Sequence, residues 1–254
     1  MKHEAPGIEA DPVVALASPL ARKLASYIAL SSDELAVLAD LHRNRRTVRT
    51  GADLVHEGQR GHAAFILARG WVCSYKVLPD GGRQVIDIQI PGDFLGLRSL
   101  LLRASDHNFE PVTDIEVSEV AAADLLAAFS RTPRLAAAVL WAASRDEAMV
   151  VEHLVDLGRR SAHVRTAHFV LELGARLKLV GMGSASGYRC PLTQYMLADA
   201  LGLSAIHLNR VLRQLRELGL MTFQKGVVTY IDLPDLMAFA EFDPAYLDDR
   251  SPFL

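Results

Sequence analysis

The pattern of apolar and polar positions divides the chain into three parts. Between residues 18 and 41, apolar residues recur at intervals of three and four, which predicts two short helices, the second beginning near Ser32. From Val48 to Val120, short runs rich in Val, Ile and aromatic residues are separated by glycines, which is typical of β-strands joined by tight turns. After Pro133 the helical spacing returns.

The clearest turn in the β-rich part is Pro-Asp-Gly-Gly at residues 79–82, between the apolar runs 72–77 and 84–90. Glycine supplies the positive φ angle that a tight hairpin needs. Many short strands at this spacing predict a β-roll of the jelly-roll or double-stranded β-helix type. With helices on either side of the roll, the chain is predicted to have an α+β fold.

Residues 133–160 show a heptad repeat. Its positions, in alternating steps of four and three, are Ala136, Leu140, Ala143, Glu147, Val150, Leu154 and Leu157. Glu147 is the charged exception among six apolar residues, and the alanines would let two helices approach closely. A helix packed on its own domain would give a similar stripe. We favour a dimer interface, because the motif described next requires twofold symmetry.

Residues 192–213 match the helix-turn-helix pattern at every defining position. Counted from Gln194, the pattern requires a small residue at the fifth position, glycine at the ninth, and apolar residues at the fourth, eighth, tenth, fifteenth and eighteenth. The chain supplies Ala198 and Gly202, with Leu197, Leu201, Leu203, Leu208 and Val211 at the apolar positions. The small residue lets two helices cross, the glycine forms the turn, and the apolar set holds the second helix outward.

Most of the candidate DNA contacts lie on the second helix and on a β-hairpin wing predicted at residues 221–231; the others stand at the start of the first helix and just before the second. The full set is Thr193, Gln194, Ser204, His207, Asn209, Arg210, Arg213, Gln214 and Lys225. Thr193 and Ser204 also suit the N-caps of the two helices. Arg210 can bind guanine O6 and N7 with two hydrogen bonds; the alternatives are a phosphate contact and a solvated surface arginine.

The other candidates differ in the contact they suggest. Asn209 can pair with adenine or hold a phosphate, whereas Arg213 and Gln214, one turn further on, favour phosphates. For His207, contact with a base or phosphate and simple exposure both remain open. Lys225 lies at the predicted tip of the wing, where it can reach a phosphate or remain solvated.

The charge of the chain is asymmetric. It is −3 overall, but residues 159–232 carry ten Lys or Arg against four Asp or Glu, so this part is +6 and the remainder −9. A basic DNA-binding part on an acidic body gives this distribution, as does an excess of solvated arginine.

A length of 254 residues, half of them apolar, allows two domains. Without a signal peptide or an apolar run near 18 residues, we expect a cytoplasmic protein and no membrane contact.

The order of these parts resembles the Crp/Fnr superfamily of bacterial transcription regulators. The resemblance covers about residues 30–240 and is carried by Gly51 and Gly58, the turn at 79–83, Pro-Gly-Asp-Phe-Leu-Gly at 91–96, Leu-Gly-Arg-Arg at 157–160 and residues 192–215. It implies a homodimer that binds a palindromic operator in double-stranded DNA, with RNA polymerase as a partner and a cyclic-nucleotide-binding-like β-roll that can hold an effector.

The predicted domain division follows from this order. It comprises a flexible arm at 1–17, the β-roll sensor domain with its leading helices at 18–132, the dimerisation helix at 133–160, the winged helix-turn-helix domain at 161–240 and a C-terminal tail at 241–254.

The chain departs from the family at the positions that hold a cyclic nucleotide. Cyclic-nucleotide members resemble one another in a Gly-Glu pair after the Pro-Gly-Asp-Phe turn, with the Glu on ribose, and in a later Arg-Ser or Arg-Ala step on phosphate. Here Leu97 follows Gly96, and the acidic segment 106–110 stands at the later place. The nearest Arg-Ser and Arg-Ala steps, at 98–99 and 103–104, lie close to the turn instead of at the later place. Acidic side chains repel a phosphate, so cyclic AMP is not expected.

The cysteines argue against two other cofactors of the family. Oxygen-sensing members resemble one another in an N-terminal cysteine cluster, but here no cysteine precedes Cys73, so an iron–sulfur centre is excluded. A lone strand cysteine packs in a core far more often than it ligates haem, so haem is not expected either. Cys73 and Cys190 lie too far apart in sequence to indicate a disulfide framework or a four-thiolate metal site. No cofactor is evident.

The predicted recognition helix also departs from the family, and two other functions compete with DNA binding. Members that bind the commonest operators carry Glu where Ile206 stands, so a different operator is expected here. A cupin-type enzyme would need clustered metal ligands, but His56, His62 and His107 are widely separated, and we expect no catalysis. A sensor that regulates through protein contacts is the alternative; the helix-turn-helix match favours DNA.

Overall fold

A computed structural model describes residues 18–247 of the chain, apart from positions 62 and 103. The arm predicted at 1–17, the histidine at position 62 and the end of the predicted tail at 248–254 lie outside the described residues. The predicted α+β fold is confirmed: an antiparallel β-roll, a long helix and a helix-turn-helix unit follow one another along the chain.

Two short helices precede the roll, as the apolar spacing predicts. Helix α1 spans Pro19–Ala25 and α2 spans Ser32–Leu41. The N-cap of α2 is Ser31, one residue before the predicted start. The Ser31 hydroxyl accepts a hydrogen bond from the Glu34 amide, and the Glu34 carboxylate accepts one from the Ser31 amide. This reciprocal pair satisfies donors that a helix start leaves unpaired.

The described part of the roll contains two antiparallel sheets. Its strands are β1 Arg45–Val48, β2 Ala64–Arg69, β3 Val72–Val77, β4 Arg83–Gln89, β5 Phe94–Leu95, β6 Asn108–Pro111 and β7 Ile115–Val120. One sheet has the order β1-β7-β2-β5 and the other the order β4-β3-β6. The predicted turn at 79–82 joins β3 to β4, where the Leu78 amide donates to the Gly82 carbonyl over 2.7 Å. A 3₁₀ turn at Arg98–Leu100 follows β5.

The interior of the roll is filled by apolar side chains from both sheets. They are Val48, Leu54, Val55, Phe65, Leu67, Val72, Leu95, Phe109, Ile115 and Val117. All of them are buried. Since removing this surface from water is the main favourable term in folding, the sheet pair forms one stable body.

Two helices continue the chain after the roll. Helix α3 spans Ala122–Arg131, and α4 spans Pro133–Arg159, within one residue of the predicted long helix. Proline at the first position of α4 costs no hydrogen bond, because that amide has no partner in the helix. One face of α4 packs on α1, α2 and α3; its buried residues there are Leu135, Ala138, Val139 and Ala142.

The C-terminal part is a winged helix-turn-helix unit. Its elements are α5 Ala162–Leu179, β8 Gly183–Ser184, β9 Gly187–Arg189, α6 Gln194–Leu201, α7 Ala205–Glu217, β10 Met221–Gln224, β11 Val227–Tyr230, α8 Leu233–Phe239 and a 3₁₀ turn at Pro244–Leu247. The sheet order β10-β11-β9-β8 shows that the β8–β9 hairpin extends the predicted wing. The sequence did not indicate this hairpin, whose strands are two and three residues long.

The C-terminal part packs directly on the roll. The sheet β4-β3-β6 contributes Trp71, Cys73, Val85, Ile88 and Ile90 to a core that also contains buried residues of α5, α6 and α7. The two predicted domains therefore share one continuous apolar core.

Candidate nucleic-acid interface

Capping bonds fix the two helices of the helix-turn-helix unit. The Thr193 hydroxyl accepts a hydrogen bond from the Met196 amide over 3.2 Å, and the Ser204 hydroxyl accepts one from the His207 amide over 3.2 Å. Both predicted N-caps are confirmed. Each hydroxyl keeps its own hydrogen free to donate, and a phosphate oxygen is a suitable acceptor.

The turn between α6 and α7 depends on Gly202. Its φ angle of 59° lies in the left-handed region, where glycine has no steric penalty. Around it, the predicted scaffold positions Leu197, Ala198, Leu201, Leu208 and Val211 are all at most 3% exposed. This small core determines which face of α7 points away from the protein.

The outward face of α7 is exposed and, apart from Ile206, polar. It carries Ile206, His207, Asn209, Arg210, Arg213 and Gln214. Arg210 forms no ion pair with any described residue, whereas Arg213 lies 3.7 Å from Glu217 and Gln214 contacts His163. Arg213 and Gln214, the two predicted phosphate contacts, therefore each have a polar neighbour on the protein. The guanidinium of Arg210 has no such partner in the part of the chain that the structure describes and is available to bind another molecule.

The wing places Lys225 at its tip. Lys225 and Gly226 have φ angles of 51° and 71°, as a two-residue hairpin turn that matches the strand twist requires. A left-handed conformation costs about 1 kcal/mol or more for a residue other than glycine. Lys225 is exposed.

Four apolar heptad positions of α4 are exposed in the chain. Leu140 is 68% exposed, Val150 47%, Leu154 71% and Leu157 39%. Glu147 is also exposed, and Ala136 and Ala143 are partly buried. The internal core face of α4 is the separate stripe that contains Leu135 and Ala142. Leu140, Val150 and Leu154 therefore lie outside the apolar core of their own domain.

A buried ionic cluster joins the C-terminal part to the roll. Arg176 of α5 donates to Asp87 over 3.0 Å and to Asp93 over 2.9 Å, and Lys23 of α1 donates to the other oxygen of Asp93 over 2.8 Å. Burial raises the pKa of Asp93, but the charges of Lys23 and Arg176 outweigh burial and lower this pKa from 3.8 to about 2. Asp93 belongs to the Pro-Gly-Asp turn at 91–93.

A second ionic contact joins the roll to the first helix of the helix-turn-helix unit. The Arg83 guanidinium, at the start of β4, donates to the Asp199 carboxylate of α6 over 3.2 and 3.1 Å, and to Glu110 of β6 over 2.9 Å. Arg83 also lies 5.0 Å above the ring of Tyr75. The orientation of α6 is thus tied to the end of the β3–β4 hairpin.

The part of the roll that follows β5 does not fit the phosphate of a cyclic nucleotide. Arg98 donates to Asp106 over 2.7 Å, and His107 Nδ1 lies 2.8 Å from the same carboxylate. Burial raises the pKa of Asp106, but His107 and Arg98 more than offset this and the net pKa falls below its ordinary value. Asp106 therefore supplies the anion that Arg98 binds, and Leu97 offers no hydrogen bond to a ribose.

The cysteines are buried in apolar surroundings. Burial raises the pKa of Cys73 to about 12 and that of Cys190 to about 11, so both are thiols at neutral pH. Among the described residues, no cluster of three or more His, Cys, Asp or Glu has the arrangement of a metal site. In the same part of the chain, no helix has the length and apolar character needed to cross a membrane.

This architecture defines the class of the protein. A β-roll connected by a long helix to a winged helix-turn-helix unit with an exposed, cationic second helix is the architecture of a DNA-binding transcription regulator. Two family models match the chain: a cyclic nucleotide-binding domain at residues 45–132 and a Crp-like helix-turn-helix domain at residues 164–240.

Similar proteins narrow the class further. The nitrogen fixation regulation protein FixK of Bradyrhizobium diazoefficiens is 31% identical over 203 residues, covering 78% of this chain and 83% of that protein. A probable transcriptional activator of Rhizobium leguminosarum bv. viciae is 28% identical over 208 residues, covering 82% and 84%. The solved structure of FixK2 from Bradyrhizobium japonicum matches with a TM-score of 0.68 and 25% identity, covering 77% of this chain and 96% of that chain. The chain belongs to the Crp/Fnr superfamily of transcription regulators.

Proposed function

We propose that the protein is a sequence-specific transcription regulator that binds a palindromic operator as a homodimer. In this proposal, residues 18–132 form the sensor domain, 133–160 the dimerisation helix and 161–240 the DNA-binding domain. The observation that carries it is the outward face of α7, where Arg210 and its polar neighbours are exposed on a helix whose other side is fully used in packing.

The uncovered stripe of α4 supports dimerisation. Burying a leucine side chain completely contributes about 1.5–3 kcal/mol, and this stripe offers Leu140 and Leu154, both more than two thirds exposed. Leu154→Arg should therefore shift the protein from dimer to monomer in analytical ultracentrifugation. Leu126→Arg is the matched control, since Leu126 is 65% exposed on α3, outside the stripe. A monomeric wild type would contradict the proposal.

DNA binding is tested by selecting bound sequences from random DNA and measuring Kd for the selected operator. Arg210→Ala should weaken specific binding by about 1–3 kcal/mol and relax one base position, because a guanine contact through two hydrogen bonds is lost. Equal weakening on all sequences would instead assign Arg210 to a phosphate. Arg216→Ala, an exposed arginine at the far end of α7, is the control. If no salt-sensitive complex forms at all, regulation through protein contacts replaces this proposal.

The proposal also covers effector and partner. The contacts of Asp106 with Arg98 and His107 support a roll that does not take cyclic AMP, and the buried thiols support the absence of a cysteine-bound cofactor. Cyclic AMP should leave the melting temperature unchanged; a saturable rise would contradict this.

As the family implies, the operator-bound dimer acts on RNA polymerase. Transcription in vitro from a promoter carrying the selected operator tests this action.

A further inference from the structure

Ile206 is an apolar side chain on the otherwise polar outward face of α7. It lies in the first turn of α7, two residues after the N-cap Ser204, and is 70% exposed. Its neighbours on the outward face, His207, Asn209 and Arg210, are all exposed and polar. Because Leu208 and Val211 already form the packing side of α7, the structure of the unit does not need an apolar residue at 206.

Along α7, Ile206 is not part of an apolar patch. Apolar contact surfaces are contiguous, whereas the other large exposed apolar residue at this helix, Leu218, lies twelve residues further along. At a rise of 1.5 Å per residue, that separation is about 18 Å. Ile206 therefore stands alone among polar groups on α7, in the helix turn that enters the major groove in helix-turn-helix proteins.

We infer that Ile206 contacts the 5-methyl group of a thymine and thereby specifies a thymine in each half-site. Thymine is the base that presents a methyl group in the major groove, and apolar side chains are its usual contacts. The amino groups of cytosine and adenine would lose water against Ile206 without gaining an acceptor. The branched side chain also has few rotamers, so little freedom is lost on contact. This inference rests on the proposed function.

The position of Arg210 places the thymine within the half-site. Residues four apart on a helix share a face and are separated by about 6 Å along its axis. Stacked base pairs are about 3.4 Å apart. The thymine should therefore lie within about two base pairs of the guanine that Arg210 binds.

The test replaces that thymine by deoxyuridine in the selected operator. Deoxyuridine lacks only the methyl group and keeps every hydrogen-bonding atom of thymine. Wild-type protein should bind about fourfold more weakly for each half-site changed, the effect of exposing one buried methyl group. Ile206→Ala should bind the thymine and deoxyuridine operators equally, and Ile206→Val should retain most of the discrimination. Since residue 206 is exposed, these changes leave the core intact.

Leu218→Ala is the matched control, because it shortens another exposed apolar side chain at the end of the same helix; it should discriminate as the wild type does. Three results would each overturn this inference while leaving the proposed function standing. They are equal wild-type affinity for the two operators, discrimination that survives Ile206→Ala, and an operator with no thymine within two base pairs of the guanine. Recovery of no operator would overturn the proposed function and this inference with it.

Discussion

The ion pair between His153 and Glu172 connects α4 to α5 and predicts a specific pH dependence of stability. His153 Nε2 lies 2.8 Å from Glu172 Oε1, and the Tyr246 hydroxyl donates to the other carboxylate oxygen over 2.9 Å. Burial lowers the pKa of His153, but the adjacent Glu172 carboxylate outweighs burial, and the net pKa rises from 6.5 to about 9. At neutral pH the buried pair is therefore charged.

The sign and size of the effect follow from linkage. A histidine whose pKa is raised by folding stabilises the folded state fully below its unfolded pKa, and this stabilisation is lost as pH rises through the folded pKa. For His153 the window runs from 6.5 to about 9, and the total is about 3 kcal/mol. His42, with its pKa lowered to about 4, titrates below this window, and the buried thiols affect stability above it.

Urea unfolding at pH 6.5, 7.5 and 8.5 and one protein concentration measures the effect. The wild type should lose about 2 kcal/mol of unfolding free energy between the first and last pH. His153→Gln can still donate to Glu172 but carries no titrating charge, so it should be less stable at pH 6.5 and nearly insensitive to pH. His56→Gln, at an exposed position, should behave as the wild type. If His153→Gln keeps the wild-type slope, the pH dependence does not come from His153.

Three further predictions test the scaffold of the site. Arg176→Met should lower the unfolding free energy by about 3 kcal/mol in urea, because Asp87 and Asp93 lose a buried partner; an unchanged midpoint would show that the cluster contributes no net stability. Gly202→Ala should cost about 1 kcal/mol, because its φ is 59° and the new Cβ would lie 3.1 Å from Leu157; a rise in melting temperature would contradict this. Ser204→Ala should cost about 1 kcal/mol and Ser204→Asp much less, since only the latter keeps an N-cap acceptor; equal losses would argue against the cap.

The features that the sequence predicted correctly depend on neighbours close along the chain. The helix-turn-helix unit spans about twenty residues, and its small residue, glycine and caps each act within one or two helical turns, so the pattern could be recognised directly. The hairpin at 79–82 is equally local. The heptad stripe of α4 was visible for the same reason, and the structure adds that a different stripe, offset from it, packs on the protein's own core.

The contacts that the sequence could not show join distant positions. Arg83 and Asp199 are 116 residues apart, and Arg176 and Asp93 are 83 apart. Nothing near Arg83 in the sequence distinguishes a partner on the helix-turn-helix unit from solvent. The β8–β9 hairpin was missed for another reason, since strands of two or three residues are too short to show alternation.

The charge asymmetry has a second cause besides DNA binding. Of the cations in residues 159–232, Arg176 binds Asp87 and Asp93 of the roll, and Arg160 binds Glu152 and Asp156 of α4. These four carboxylates belong to the acidic remainder of the chain. Part of the basic excess therefore neutralises carboxylates inside the protein and holds the DNA-binding part against the body. A net charge cannot separate these uses, whereas the contacts separate cations paired inside the protein from cations exposed on α7 and the wing.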